Sequence, residues 1–137
     1  VKGVKSLEEK ARKERRADFD SERVYLRGYC MSPGVQLYKS LGNVRLHALF
    51  RLHKGDMDDV VQWPFRHTIK LRVVHPKSGE EREIVATLSG FFSAVKRPEK
   101  GRVQAAYYSD ESLLLEHLIR DGYVEDDNLH VKFELPS

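Results

Sequence analysis

Gly55-Asp56-Met57-Asp58-Asp59-Val60-Val61-Gln62-Trp63-Pro64-Phe65 is the stretch whose reading decides the fold. Three carboxylates make an acidic turn, Val60 and Val61 follow as a short apolar pair, and then comes the only tryptophan of the chain. Such a segment has two uses. In one it is a corner of an all-β domain, where Pro64 stops ladder pairing and Trp63 plugs the end of the core. In the other it is an exposed aromatic recognition knob. The corner reading is adopted, because Trp63, Pro64 and Phe65 together carry too much apolar area to leave in water.

Period-two segments flank the stretch on both sides. Upstream, Val44, Leu46, Ala48, Phe50 and Leu52 alternate with Arg45, His47, Leu49 and Arg51, which gives one core face and one wet face. Leu49 is then an apolar residue on a basic face, a local sign of a binding surface. Further upstream, Val24 and Leu26 with Tyr29 to Met31 form a strand, Pro33-Gly34 breaks it, Val35 to Tyr38 is a second short strand, and Leu41-Gly42-Asn43 is a turn. Downstream, Ile69, Leu71 and Val73 lead through a turn at His75 to Gly79 into Arg82 to Leu88, with Ile84, Ala86 and Leu88 inward.

Ser89 to Gly101 reads as a loop whose Phe91 and Phe92 are core pegs or a recognition edge. A short strand over Ala105 to Tyr108 is followed by a helix capped at Ser109 or Asp110 and running to Ile119, with Leu114, Leu115 and Leu118 inward and Gly122 at its end. The last strand is Leu129 to Leu135, with Leu129, Val131 and Phe133 inward. Near the start, Ser6 caps a surface helix that runs to Arg16, with Glu8 and Arg12 as a favourable ion pair. Its basic run, Lys10, Arg12, Lys13, Arg15 and Arg16, reads as a solvated face with phosphate binding as the alternative. In total, about seven or eight strands with two short helices and no βαβ rhythm predict an all-β antiparallel sandwich.

The 137 residues, 40% of them apolar, suit a single domain spanning 1–137. The chain begins at Val1 and not at Met, so it is expected to be a piece of a longer protein. No apolar run approaches the ~20 residues of a membrane span. Lys and Arg number 24 against 21 acidic residues, and a net charge of +3 argues against a nucleic-acid binder. The single Cys30 excludes an internal disulfide framework, and its apolar neighbours predict a buried thiol.

Catalytic patterns are missing from the sequence. None of the six histidines has a cysteine or second histidine at zinc spacing, so no metal site is expected. The glycines stand apart, without a phosphate-cradling loop. Asp58-Asp59 and Asp126-Asp127 are neighbours on an extended chain and point to opposite faces, so they serve as turn caps and not as an acid-base pair. No cofactor is expected.

The acidic turn with Trp-Pro-Phe and the Thr68-Ile69-Lys70-Leu71 strand resembles the C-terminal domain of the tumour necrosis factor receptor-associated factors, the TRAF type of MATH β-sandwich. Phe19 through Tyr29, Lys96-Arg97-Pro98 and Tyr123 through Asp127 resemble further motifs of that family in the same order, covering Phe19 to Leu135. The resemblance implies a non-catalytic adaptor module in the cytoplasm that binds short peptides of receptor cytoplasmic tails or signalling proteins. It implies a homotrimer in the full-length protein, held by an upstream coiled coil. Val4, Leu7 and Ala11 supply about one heptad, so this segment alone is expected to be a monomer or a weak trimer.

The family places the end of its first strand at Val1 to Lys5. It also has an Arg and a Tyr for a peptide carboxylate where this chain has Gly34 and Gln36, and its serine row is reduced to Ser93. The peptide-binding residues expected here are therefore Arg45, His47, Leu49, Ser93, Tyr107 and Tyr108, with Leu49 as an apolar seat ringed by bases. The competing class is a sandwich that serves oligomerisation, or an enzyme or binder of nucleic acid or acidic protein whose site forms only in three dimensions.

Overall fold

The computed structural model describes residues 1–61, 68–86 and 107–135. Trp63, Pro64 and Phe65, the Phe91 to Ser93 loop and Lys96-Arg97-Pro98 lie outside these residues.

Nine strands form two antiparallel sheets among the described residues: β1 (Arg16–Asp20), β2 (Val24–Leu26), β3 (Tyr29–Ser40), β4 (Asn43–His53), β5 (Ile69–Val74), β6 (Glu81–Ala86), β7 (Tyr107–Leu114), β8 (Val124–Glu125) and β9 (Asn128–Glu134). One sheet runs β1-β3-β4-β7, with β2 paired to the end of β3; the other runs β6-β5-β9-β8. Helix α1 (Val4–Glu14) lies before β1 and α2 (Leu115–Arg120) follows β7.

Alternation aims one face of each sheet at the other. Val35, Leu37, Val44, Leu46 and Ala48 meet Leu71, Val73, Ile84 and Leu129, and Ala11 of α1 with Leu115 and Leu118 of α2 closes that end. Tyr29, Met31, Phe50 and Leu52 pack with Ile69, Ala86 and Leu135 at the other end. Side chains this size contribute about 1.5–3 kcal/mol each by leaving water.

β3 is continuous where a break was expected at Pro33-Gly34. Pro33 stands opposite Phe50 of β4, and its carbonyl accepts from the Ser21 backbone N–H on the other side. In an antiparallel ladder the N–H and C=O of one residue point the same way, so the missing donor faces the gap between the end of β1 and the start of β2. No ladder bond to β4 is lost.

The ends of α1 also differ from the Ser6 to Arg16 expectation. Gly3 takes the N-cap position at φ 72 with no side-chain cap of its own. Asp127, from the β8–β9 turn, fills the role: its carbonyl accepts the Val4 N–H at 3.1 Å and its carboxylate the Lys5 N–H at 2.7 Å. The turn-cap reading of Asp126-Asp127 therefore holds, with the cap supplied across the whole chain. Val1 and Leu129 exchange backbone hydrogen bonds beside it, at 2.8 Å each, and Lys2 bridges Asn128 where the resemblance put the end of a first strand. Glu8 and Arg12 pair at 3.1 Å as expected.

Downstream, a helix was expected from Ser109, but β7 continues to Leu114 and α2 begins only at Leu115. His75 organises the β5–β6 turn. Its Nδ1 accepts the N–H groups of Lys77 and Ser78, both at 3.1 Å, and its Nε2 lies 3.0 Å from the Asp121 carbonyl. Arg82 pairs with Asp121 and stacks on the Tyr123 ring, 4.7 Å from its centroid. Hydrogen bonds from Arg120 and Arg82 hold the Asp121 carboxyl at about 2.

Candidate functional site: the outer face of the β1-β3-β4-β7 sheet

Register places the outward residues in rows. Arg16, Tyr38, Arg45 and Leu114 form one row, Asp18, Gln36, His47 and Ser112 the next, and Asp20, Gly34, Leu49 and Tyr108 the third. β7 is the edge of this sheet and has β4 as its one sheet neighbour among the described residues. Four of the six expected residues, Arg45, His47, Leu49 and Tyr108, therefore share one face. Tyr107 stands beside them in β7 opposite Phe50, and Ser93 lies outside the described residues.

Leu49 corrects the expectation of a wet apolar seat. Its Cα lies in the outward row, but it is 0% exposed and belongs to neither core cluster. Leu49 therefore lies under other groups of the chain, and one contact of the described residues spans the same face. The Tyr108 hydroxyl of one edge strand accepts from the Arg16 guanidinium of the other edge strand at 3.3 Å. Those strands are separated by two others, roughly 14 Å in all, so the two side chains must lie over the sheet between them. Gln36, only 5% exposed and donating to Asp18 at 3.1 Å, is in the same covered zone.

A bulge fixes the edge. His47 faces Ser112 but Leu49 faces Tyr108, so β7 passes residues 109–111 opposite Ala48. Ser109 repairs the ladder: its hydroxyl accepts the Ala48 N–H at 2.9 Å and donates to the Glu111 carbonyl at 2.7 Å, while its own carbonyl takes the His47 Nδ1 at 2.8 Å. Ser109 is thus a β-bulge residue and not the helix cap it was expected to be. Bulges are invisible to period counting, and a lone serine carries no signal of one.

The electrostatics divide the face. Arg51 sits 3.2 Å from Asp20 and 3.8 Å from Asp18 and is compensated. Arg45 contacts the neutral Ser112 hydroxyl at 3.3 Å, and Arg16 the neutral Tyr108 hydroxyl. Two guanidinium charges without a carboxylate partner among the described residues therefore stand at the row nearest α1. At the opposite end, Ser32 lies 2.8 Å from the His53 Nε2, and burial followed by Arg23 and Arg51 pushes the His53 imidazole below its usual range. Burial also pushes the Cys30 thiol up, and the cysteine is buried as expected.

Gly34 explains a departure from the resemblance. A Cβ there would come within 2.0 Å of the Phe19 carbonyl oxygen, so β1 approaches β3 too closely for any side chain, least of all an arginine. No group of histidine, cysteine or carboxylate among the described residues can hold a metal. No described helix is long and apolar enough to cross a membrane.

Two packed antiparallel sheets with a bulged edge strand beside a partly cationic face have the architecture of a MATH-type interaction module. The TRAF/meprin MATH domain family matches residues 18–132, and the chain belongs to that family. Among solved structures, 29 chains match. One is TRAF5 of Notothenia coriiceps, 20% identical, with a TM-score of 0.80 over 100% of this chain and 70% of that one; this likeness shows the fold. No curated protein gives a significant sequence match.

Proposed function

We propose that the domain is a non-catalytic peptide-binding module that holds an extended segment of a receptor cytoplasmic tail or signalling protein and acts as a cytoplasmic signalling adaptor. The segment adds to the β7 edge and crosses toward the first row of the outer face. The observation that carries this reading is the pair Arg16 and Arg45, two guanidinium groups that among the described residues contact only neutral oxygens, beside an edge strand. They suit an acidic ligand residue. Leu49 is covered, so apolar anchoring falls to the edge and not to that seat.

With Gly34 and Gln36 in the clamp positions, one site binds at about tens of micromolar or weaker, and assembly into a homotrimer in the full-length protein supplies avidity. An array of extended peptides read with the purified domain tests the proposal. Hits carry an acidic residue, and Arg45→Glu weakens them roughly tenfold or more at unchanged melting temperature. Equal binding by wild type and Arg45→Glu would sink it.

A further inference from the structure

The β3–β4 turn and the end of α1 build a second surface that the outer-face site does not use. Arg12, Lys13 and Arg15 from α1 and its cap, with Lys39 from β3 and the hairpin tip at Leu41, line a cleft of about 630 Å³. Glu14 is the one carboxylate among its lining residues. Arg12 is engaged by Glu8 and the Gly42 carbonyl, whereas Lys13, Arg15 and Lys39 have no side-chain partner among the described residues. The helix dipole accounts for basic residues in the last turn of α1. It does not account for Lys39, which comes from another element.

Leu41 is the second observation. Ser40 pairs with Asn43, and both residues between them have positive φ, 51° at Leu41 and 83° at Gly42, the signature of a type I′ turn. That turn favours Asn-Gly, and a bulky residue at its first central position is an outlier. The same leucine is 99% exposed and gains nothing from burial. A strained, fully exposed leucine at a hairpin tip beside three unpartnered cations combines an apolar probe with a basic rim, the two signals that together hold a protein on an anionic bilayer.

We propose that this tip is a docking surface for anionic lipid bilayers, with Leu41 entering the headgroup layer and Lys13, Arg15 and Lys39 neutralising the lipid charges. Tyr38 lines the cleft and pairs with Arg16 and Arg45, so the two surfaces adjoin; Leu41, Lys13, Arg15 and Lys39 take no part in the peptide-binding reading, and the proposal does not rest on it.

Co-sedimentation of the 137-residue protein with phosphatidylcholine vesicles, with or without about 20% phosphatidylserine, tests it. The protein pellets with the charged vesicles only, and less so as salt rises. Leu41→Asn weakens binding about tenfold, yet its melting temperature holds or rises because asparagine is the residue this turn prefers. Lys13→Gln with Lys39→Gln weakens it about 25-fold, about fivefold for each charge. Absence of pelleting, pelleting on neutral vesicles alone, or full pelleting of a folded Leu41→Asn variant would each overturn the proposal. So would tight binding of polyglutamate or inositol hexakisphosphate at the cleft without vesicle binding, which would assign it to an acidic peptide or a free phosphate.

Discussion

Burial, and after it Arg23 and Arg51, make the His53 imidazole harder to protonate in the native state than in the unfolded chain. The unfolded chain therefore binds more protons, and the associated stability is whole above pH 6.5 and is lost as pH falls through the lowered native value. Melting temperatures taken from pH 8 to pH 5 should decline more steeply for the wild type than for His53→Gln; parallel curves would contradict this. At the neighbouring end of the face, Leu49→Asp places a carboxylate where no solvent reaches and should cost at least about 3 kcal/mol, measured by urea unfolding. Leu49 also marks how far residue-level reading goes. Alternation gave its direction correctly, since it shares a row with Tyr108 and Gly34, but period two reports which side a residue points to and not what lies above that side. The Tyr108–Arg16 contact joins positions 92 residues apart, and no local pattern encodes it.

At the scale of elements, three two-residue turns among the described residues have positive φ at both central positions: Arg27-Gly28, Leu41-Gly42 and Asp126-Asp127. Each joins strands in the hand that sheet twist requires. Asp126-Asp127 was legible as a turn, because aspartate tolerates the left-handed region. That Asp127 also caps α1 was not, since the two lie at opposite ends of the chain. Asp127→Ala should lose both the cap and the easy turn and destabilise the domain by about 1–2 kcal/mol in thermal melts, while Asp127→Asn should keep most of it. An unaltered Asp127→Ala melt would show that the Asp127 carbonyl suffices. β3 and β7 differ from expectation for related reasons. Pro33 breaks a strand only where its N–H is needed, and here two edge strands leave a gap for it. β7 runs on through a bulge that the hydroxyl of Ser109 completes, so a polar cluster with the look of a helix start is strand instead.

For the whole molecule, strand patterning and ordered motif matches together predicted the antiparallel sandwich, and the family match over 18–132 agrees with it. The architecture was legible in the sequence; the covering of the face and the basic hairpin tip arise only when distant segments meet. The closure of the chain ends has a kinetic consequence. β3 and β4 align over eleven register pairs around a two-residue turn, so their contacts are local and form cheaply in entropy. Val1 reaches Leu129 and Lys5 reaches Asp127 across 128 and 122 positions, contacts that close only after most of the domain is in place. Refolding rates should therefore respond to changes in the β3–β4 hairpin, whereas loosening the Val1 to Asp127 clasp should leave refolding unaltered and accelerate unfolding. The residence time of the native state is governed where the first residues of the chain meet its last hairpin.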